Sequence, residues 1–159
     1  MAVAALVLSA CSAAGLPRIA GAPVATASLA PTIATSSPPP TAVAGTLDGL
    51  IAHYAAINGV PPSLVHRVIQ RESGYNPKAR NGPYWGLMQI RHDTAKSMGY
   101  SGPAAGLLDA ETNLKYGVKY LAGAYLVGHK NSDQAVRNYS RGYYYDARRM
   151  GLLEEVGLR

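Results

Sequence analysis

The chemistry in this chain begins at one carboxylate. Leu64, Val65, Val68 and Ile69 recur at spacings of three and four, the pattern of a helix with a single buried stripe. Glu72 falls seven residues after Val65 and four after Val68, so it projects from the apolar face rather than the solvent face. A carboxyl there loses hydration, which favours its neutral form and lifts its pKa toward the range where it can give up a proton near neutrality. The breaker Gly74-Tyr75-Asn76-Pro77 follows at once. The carboxyl therefore also faces the unfavourable end of the helix dipole, which acts in the same direction. These features suit a general acid; the alternative on the same residues is a helix-end glutamate paired with Arg71 or Lys78.

The elements that must position this group are helical. Pro61-Pro62-Ser63 starts the helix that carries Glu72, since proline is tolerated in a first turn. Ahead of it, Thr46-Leu47-Asp48 opens a segment with Leu50, Ile51, Tyr54, Ala55 and Ile57 in helical period, and Gly59 closes it. Asn81-Gly82-Pro83 marks a turn. Asp93 is expected to cap a short helix ending at Gly99. Asp109 is expected to cap a longer one with Leu114, Val118, Leu121, Tyr125 and Leu126 as its inner face, up to Gly128. Asn131-Ser132 begins a further helix with Ala135, Val136 and Tyr139, and a last amphipathic stretch follows Tyr143. No segment alternates convincingly as a strand would, so the expected fold is mainly α, small and globular.

Composition sets where that fold can lie. Apolar residues make up 48% of the 159, enough for a core. Residues 1–45, however, hold one charged side chain, Arg18, and six of the eleven prolines. From residue 12 to 45 the chain is mostly Ala, Pro, Ser, Thr and Gly with a Pro38-Pro39-Pro40 run, a composition that cannot offset its ordering entropy and reads as a disordered tether. Extended at ~3.1 Å per residue, it would reach up to ~100 Å. Residues 46–159 contain fourteen of the fifteen Lys and Arg and all nine acids, a basic balance suited to a polyanionic partner: nucleic acid, an anionic membrane or an anionic cell wall. No apolar run of ~18 residues is present. The single cysteine, Cys11, excludes an internal disulfide and a thiolate-cluster metal site, and His53, His66, His92 and His129 lack metal-ligand spacing, so neither a metal nor a cofactor is expected. Tyrosine is abundant and phenylalanine absent, giving ring faces that also carry hydroxyls.

The first residues read as an address. Residues 2–10 form an apolar stretch ending in small side chains, as in a signal peptide, and Leu8-Ser9-Ala10-Cys11 resembles the bacterial lipobox. That resemblance implies lipidation of Cys11 after cleavage before it, with acyl chains anchoring the protein to a membrane rather than spanning it. The stretch has no Lys or Arg ahead of it, a departure from the pattern. A conventionally cleaved signal is the alternative. The expected layout is a signal peptide at 1–10, the lipidated cysteine and linker at 11–45, and the folded domain at 46–159.

Four segments of that domain, in order, carry a family resemblance. They are Gln70-Arg71-Glu72-Ser73-Gly74-Tyr75-Asn76-Pro77, Gly86-Leu87-Met88-Gln89-Ile90, Glu111-Thr112-Asn113-Leu114 with Tyr116-Gly117 and Tyr120-Leu121, and Tyr139. Together they resemble the lytic transglycosylase domain of the soluble (Slt) type, related to goose-type lysozyme, over about residues 46–150. The resemblance implies a lysozyme-like helical domain that cuts the β-1,4 bond between N-acetylmuramic acid and N-acetylglucosamine of peptidoglycan. Glu72 matches the family's single catalytic acid. It would protonate the glycosidic oxygen and then, as carboxylate, draw the proton from the muramoyl C6 hydroxyl as that oxygen closes onto C1 to give a 1,6-anhydro sugar. One carboxylate suffices, whereas hydrolases of the usual kind need two, ~5–5.5 or ~6.5–9.5 Å apart.

By the same matching, Ser73 hydrogen-bonds near the cleaved sugar or steadies Glu72, or is a plain helix-end hydroxyl. Gln89 and Met88 line the glycan groove, one bonding a polar group and the other packing on a sugar face, with core packing the alternative for Met88. Tyr139 corresponds to the tyrosine of the family's Ala-Tyr-Asn segment, whose hydroxyl reaches toward the catalytic site; here the segment is Asn138-Tyr139-Ser140, and Ser140 stands in for the asparagine with a shorter reach. Tyr143-Tyr144-Tyr145 is either a stacking platform or a run split between core and surface. Tyr84-Trp85 is placed to pack beneath the segment that follows it. As a second carboxylate, Asp93, Asp109 and Asp133 stand at helix starts and are more simply caps, Asp48, Glu154 and Glu155 are terminal and solvated, Glu111 is structural, and Asp146 is the least easily set aside.

The leading expectation is thus an exported, lipid-anchored lytic transglycosylase of the periplasm, anchored to the outer membrane by analogy with other lipoproteins that carry Ser after the cysteine. Its partners would be peptidoglycan glycan strands, a membrane through the anchor, and a secretion apparatus or wall-remodelling proteins. Two alternatives stay open: a hydrolytic muramidase on the same fold, and a non-catalytic glycan-binding or secretion-assembly lipoprotein. A nucleic-acid module fits the charge but finds no recognition motif.

Overall fold

The computed structural model describes residues 45–158, so Cys11, the signal-like stretch and nearly all of the tether lie outside the described residues. Its elements run α1 (Leu47–Ile57), α2 (Pro62–Glu72), β1 (Arg80–Asn81), β2 (Tyr84–Trp85), β3 (Ile90–Arg91), α3 (His92–Ser97), a 3-10 turn (Ala104–Leu108), α4 (Ala110–Val127), α5 (Ser132–Arg141) and α6 (Tyr144–Met150). No helix among the described residues is long and apolar enough to cross a membrane.

Helix boundaries follow local chemistry. The Thr46 hydroxyl accepts the Gly49 N–H at the start of α1, and the Asp109 and Asn131 side chains accept the N–H groups of Thr112 and Gln134 at the starts of α4 and α5. Pro62 sits in the first turn of α2, and Gly59, at φ +63°, follows the end of α1. Two expected caps are displaced. Asp93 lies in the first turn of α3 behind Arg91, which it faces at 3.8 Å, and Asp133 lies in the first turn of α5 and pairs with Arg67. The negative charges still favour helix starts through the dipole.

The centre of the core is α4, packed against α1, α5, α3 and α6. Its inner face is Leu114, Gly117, Val118, Leu121 and Ala124, each fully or nearly enclosed. Tyr125 and Leu126, expected on that face, are only half-buried. Small residues lie where other side chains press against α4, since Gly117 leaves room for the Met88 side chain and Gly123 for the Tyr143 ring: a Cβ on them would come within 2.7 Å of Met88 Sδ and 2.3 Å of the Tyr143 hydroxyl. The stripe of α2 behaves as its period predicts, with Leu64, Val65, Val68 and Ile69 buried, each contributing ~1.5–3 kcal/mol of apolar burial.

The expectation of no strands is corrected. A three-stranded antiparallel sheet joins Arg80 to Trp85 and Asn81 to Tyr84, then Tyr84 to Arg91 and Trp85 to Ile90. Each strand is two residues long, too short for alternation to show. Gly82, at φ +56°, occupies the first position of the two-residue Gly82-Pro83 turn, where a left-handed conformation matches the strand twist. The tip of the second connection is Gly86, at φ +71°, and a Cβ there would lie 2.3 Å from both the Leu107 carbonyl oxygen and the Asn113 amide nitrogen. We expect Gly86→Ala to cost about 2–4 kcal/mol, combining left-handed strain with overpacking against backbone, as a lowered urea midpoint at unchanged slope.

Candidate active site

Glu72 is the last residue of α2, where the buried stripe reaches the surface. It is half-buried in a recess of about 270 Å³ lined by Arg71, Asn81, Tyr84, Gln89, Tyr139 and Ser140. Desolvation raises its pKa, and the neighbouring Arg71 guanidinium offsets part of the rise. No other carboxylate lines this recess.

Four other acids have partners of their own. Asp146 is held between Arg141, at 2.5 Å, and Arg149, and Glu111 accepts the Tyr54 hydroxyl at 3.1 Å. Asp133 faces Arg67 at 2.5 Å, and the Asp109 carboxyl caps α4, which keeps it below the usual carboxylate range.

Opposite Glu72 stands the segment 86–89, which is not regular structure and is held by side chains. Asn113, wholly buried, accepts the Met88 N–H at 2.8 Å and donates to the carbonyls of Trp85 and Leu107, each at 2.8 Å. Tyr139 donates its hydroxyl to the Met88 carbonyl at 2.8 Å. Burial and the nearby Glu72 charge push the Tyr139 phenol well above its ordinary pKa, so it stays a donor. Ser73, next to Glu72, gives its hydroxyl to the Leu87 carbonyl at 2.7 Å. The end of α2 and the facing segment are therefore tied together directly beside the carboxyl.

Each site residue read from the sequence can now be placed. Gln89, Tyr139 and Ser140 line the recess with Glu72. Gln89 sits at φ +47° and donates its amide to the carbonyls of Ala79 and Gly86, which fixes the orientation of that amide and leaves its oxygen unbonded by the described residues. Ser140 is exposed, its hydroxyl turned back to the Val136 carbonyl at 3.1 Å. Met88 does not line the recess: it is 0% exposed and lies against Gly117, with its N–H and carbonyl bonded to Asn113 and Tyr139. Ser73 does not line the recess, and Cys11 is outside the described residues. The tyrosine run is split, with Tyr143 buried and Tyr144 and Tyr145 exposed.

Arg71, Asn81 and Tyr84 were missed as site residues. The signal for Arg71 is its place beside Glu72 at the end of α2, and that for the other two is the Asn81-Gly82-Pro83 turn, since a two-residue turn sets Asn81 opposite Tyr84, which is 41% exposed. Trp85, the other half of that pair, turns inward under the Arg80 guanidinium, 4.2 Å from its ring centre.

A second recess of about 240 Å³ shares Tyr84, Gln89, Tyr139 and Ser140 with the first and continues to Arg91, Arg141 and Gly142, so the site is an open groove rather than a closed pocket. Tyr120 and Tyr139 line it and meet edge to face at 5.3 Å, with the buried Tyr143 ring 4.7 Å from Tyr120, ring centre to ring centre. Among the described residues no group of His, Cys, Asp and Glu could hold a metal ion.

Residues 49–150 match the transglycosylase SLT domain family, and that stretch contains the whole groove. The chain belongs to this family. It is 36% identical over 102 residues to the peptidoglycan transglycosylase gp16 of Escherichia phage T7, covering 60% of this chain and 8% of that protein. It is also 36% identical over 85 residues to the soluble lytic murein transglycosylase of Escherichia coli (strain K12), covering 48% of this chain and 13% of that one. The crystal structure of the 70 kDa soluble lytic transglycosylase SLT70 from Escherichia coli is similar with a TM-score of 0.56 and 28% identity, over 67% of this chain and 18% of that one. The SLT domain is thus the part shared, and the chain spans less than a fifth of each of these relatives. The mainly helical fold expected from the sequence is the fold of this family.

The buried bonds of Asn113 make a specific expectation. Asn113→Ala strands the Met88 N–H and two carbonyls and should cost about 2–4 kcal/mol in chemical unfolding, whereas Glu111→Gln on the same turn, with its partner hydroxyl partly hydrated, should cost less than about 1 kcal/mol.

Proposed function

We propose that this SLT domain is a peptidoglycan lytic transglycosylase in which Glu72 is the single general acid and base. The observation that carries the reading is the solitary, half-buried carboxyl with a raised pKa facing an open polar groove. Membership of the SLT family and likeness to two transglycosylases support the substrate class.

The reaction uses that carboxyl twice. As an acid, Glu72 protonates the oxygen of the β-1,4 bond, and the bond from muramoyl C1 breaks as positive charge grows on the ring. As a carboxylate, it stabilises that charge and accepts the C6 hydroxyl proton while the C6 oxygen bonds to C1. The proton count closes without water, and the products are a 1,6-anhydromuramoyl end and a free N-acetylglucosamine hydroxyl. A hydrolase of the usual kind needs a second carboxylate to activate water or form a glycosyl ester. None lines this recess, which favours the transglycosylase over the muramidase.

The same tests separate the alternatives. Purified peptidoglycan digested with residues 46–159 should release anhydromuropeptides, one water lighter than hydrolysis products by mass spectrometry. Glu72→Gln should lower turnover by at least ~10³-fold with strand binding retained. Reducing ends would indicate a muramidase; binding without any cleavage would indicate a binding protein. We further propose that the chain is exported, with Cys11 lipidated and residues 12–45 as its tether to the outer membrane; labelling with a radioactive fatty acid, lost in Cys11→Ala, checks this.

The raised pKa gives two pH signs. Activity needs the protonated acid, so kcat should fall as pH rises through the raised value of Glu72. Stability follows the same group. Below the ordinary glutamate pKa the carboxyl is neutral whether folded or unfolded, and across the window up to the raised value the folded state holds more protons, so stability declines with pH there. Glu72→Gln should therefore be more stable than the parent at neutral pH, with the advantage vanishing in acid, as urea midpoints at pH 4 and pH 8 would report.

A further inference from the structure

One residue lining the recess with Glu72 carries chemistry of its own. An asparagine followed by glycine can close on itself: the next backbone nitrogen attacks the side-chain carbonyl, and glycine has no Cβ to hinder the approach and the widest choice of backbone angles for it. The chain has six asparagines, and two of them, Asn58 and Asn81, precede glycine. We propose that Asn81 is a site of self-modification, at which loss of the side-chain ammonia places a carboxylate in the recess beside Glu72. The modification is independent of the reading of Glu72 as the catalytic acid; its consequence for activity rests on that reading.

The structure separates the six. Asn113 and Asn138 are buried and hydrogen-bonded, and Asn131 accepts the Gln134 N–H at the start of α5. Asn76 accepts the Lys78 N–H and precedes Pro77, which has no N–H to lose. Asn58 is half-buried, with its amide nitrogen on the Tyr54 carbonyl at 2.8 Å and the Gly59 N–H on the Ala56 carbonyl at 3.3 Å, so both reacting groups are occupied. Asn81 differs in each respect. It and Gly82 are exposed, its side chain has no hydrogen-bond partner among the described residues, and the Gly82 N–H meets no backbone acceptor there. Gly82 holds φ +56° at the tip of the hairpin, with nothing within 4 Å of where a Cβ would stand. The attacking nitrogen has an open approach.

The step balances with water as its one co-reactant. The Gly82 nitrogen bonds to Asn81 Cγ, the Cγ–Nδ2 bond breaks, and ammonia leaves with the Gly82 proton, giving a five-membered cyclic imide. Water then opens the imide at one of its two carbonyls. Residue 81 becomes aspartate or its isoaspartyl isomer, the latter with an extra methylene in the backbone at the position paired with Tyr84. Either product puts a negative charge in a recess where Glu72 is otherwise the one carboxylate. The titratable and charged groups lining that recess with Glu72 are Arg71 on its own helix, Tyr84 on β2 and Tyr139 on α5. The new carboxylate adds a like charge and competes for the Arg71 guanidinium, and both effects favour the protonated form of Glu72. Ageing of the protein thereby carries its acid to higher pH.

The test holds the full chain at pH 8 and maps its peptides by mass spectrometry over time. Residue 81 should gain one mass unit at least ~10-fold faster than residue 58, which must first open two hydrogen bonds. The gain should slow in weak acid, where the Gly82 nitrogen keeps its proton. Asn81→Gln, which would have to close a larger ring, should hold its mass. The consequence is read on Asn81→Asp: the Glu72 titration, followed by carbon NMR, and the alkaline limb of kcat should both lie at higher pH than in the freshly made parent. Aged parent should drift the same way, and Asn81→Gln should not drift. No mass gain at residue 81, an equal rate at residue 58, or a Glu72 titration unmoved in Asn81→Asp would overturn the proposal. If the fresh chain cuts no peptidoglycan, the catalytic reading falls, while the mass map and the titration still decide this one.

Discussion

The site depends on one buried amide. Asn113, on the inner face of α4, takes the N–H of Met88 and returns two N–H bonds to the carbonyls of Trp85 and Leu107. The Met88 N–H lies in the irregular segment between β2 and β3, and the two carbonyls lie at the last residue of β2 and near the end of the 3-10 turn, and leaving such groups unpaired inside a protein costs more than most packing defects. The bond set therefore decides where the wall opposite Glu72 stands. Gly86 lets the chain come close enough for it, and Tyr139 completes it from α5 by taking the Met88 carbonyl. The wall facing the carboxyl is thus supported from two helices that meet each other across the core.

The same arrangement separates charge by role. Carboxylates that serve the fold are paired, capping or hydrogen-bonded at the surface, as with Asp133 on Arg67, Asp109 on the first turn of α4 and Glu111 under Tyr54. Glu72 has a flanking cation but is held by desolvation, so its proton affinity is raised rather than lowered. Groups that would be stable as carboxylates are poor acids, and a group that is a good acid near neutrality is destabilising as a carboxylate. The fold accepts that cost at one residue.

Much of this is legible in the sequence alone. The period of three and four in α2 placed Glu72 on the buried face, and the side-chain caps Asp109 and Asn131 marked the starts of α4 and α5 where the structure has them. The less legible parts share a cause. Two-residue strands carry no alternation, Gly117 and Gly123 of α4 admit Met88 and Tyr143 from distant stretches of chain, and Met88 is turned inward with its own peptide groups bonded from other helices. None of these is a property of the local sequence.

By itself, then, the sequence determined the helices, the apolar face from which Glu72 emerges and the family to which the motifs point, because periodicity, capping and motif spacing act within a few turns of chain. Only the tertiary structure decided what surrounds that carboxyl. Arg71, Asn81, Tyr84, Gln89, Tyr139 and Ser140 come from four separate stretches of chain, and it is their convergence that leaves Glu72 without a second carboxylate beside it. It likewise decided that Asp146 lies between two arginines and not in the recess with Glu72. Proximity between residues distant in sequence is set by which faces must be buried against one another, and that is settled by the whole core at once.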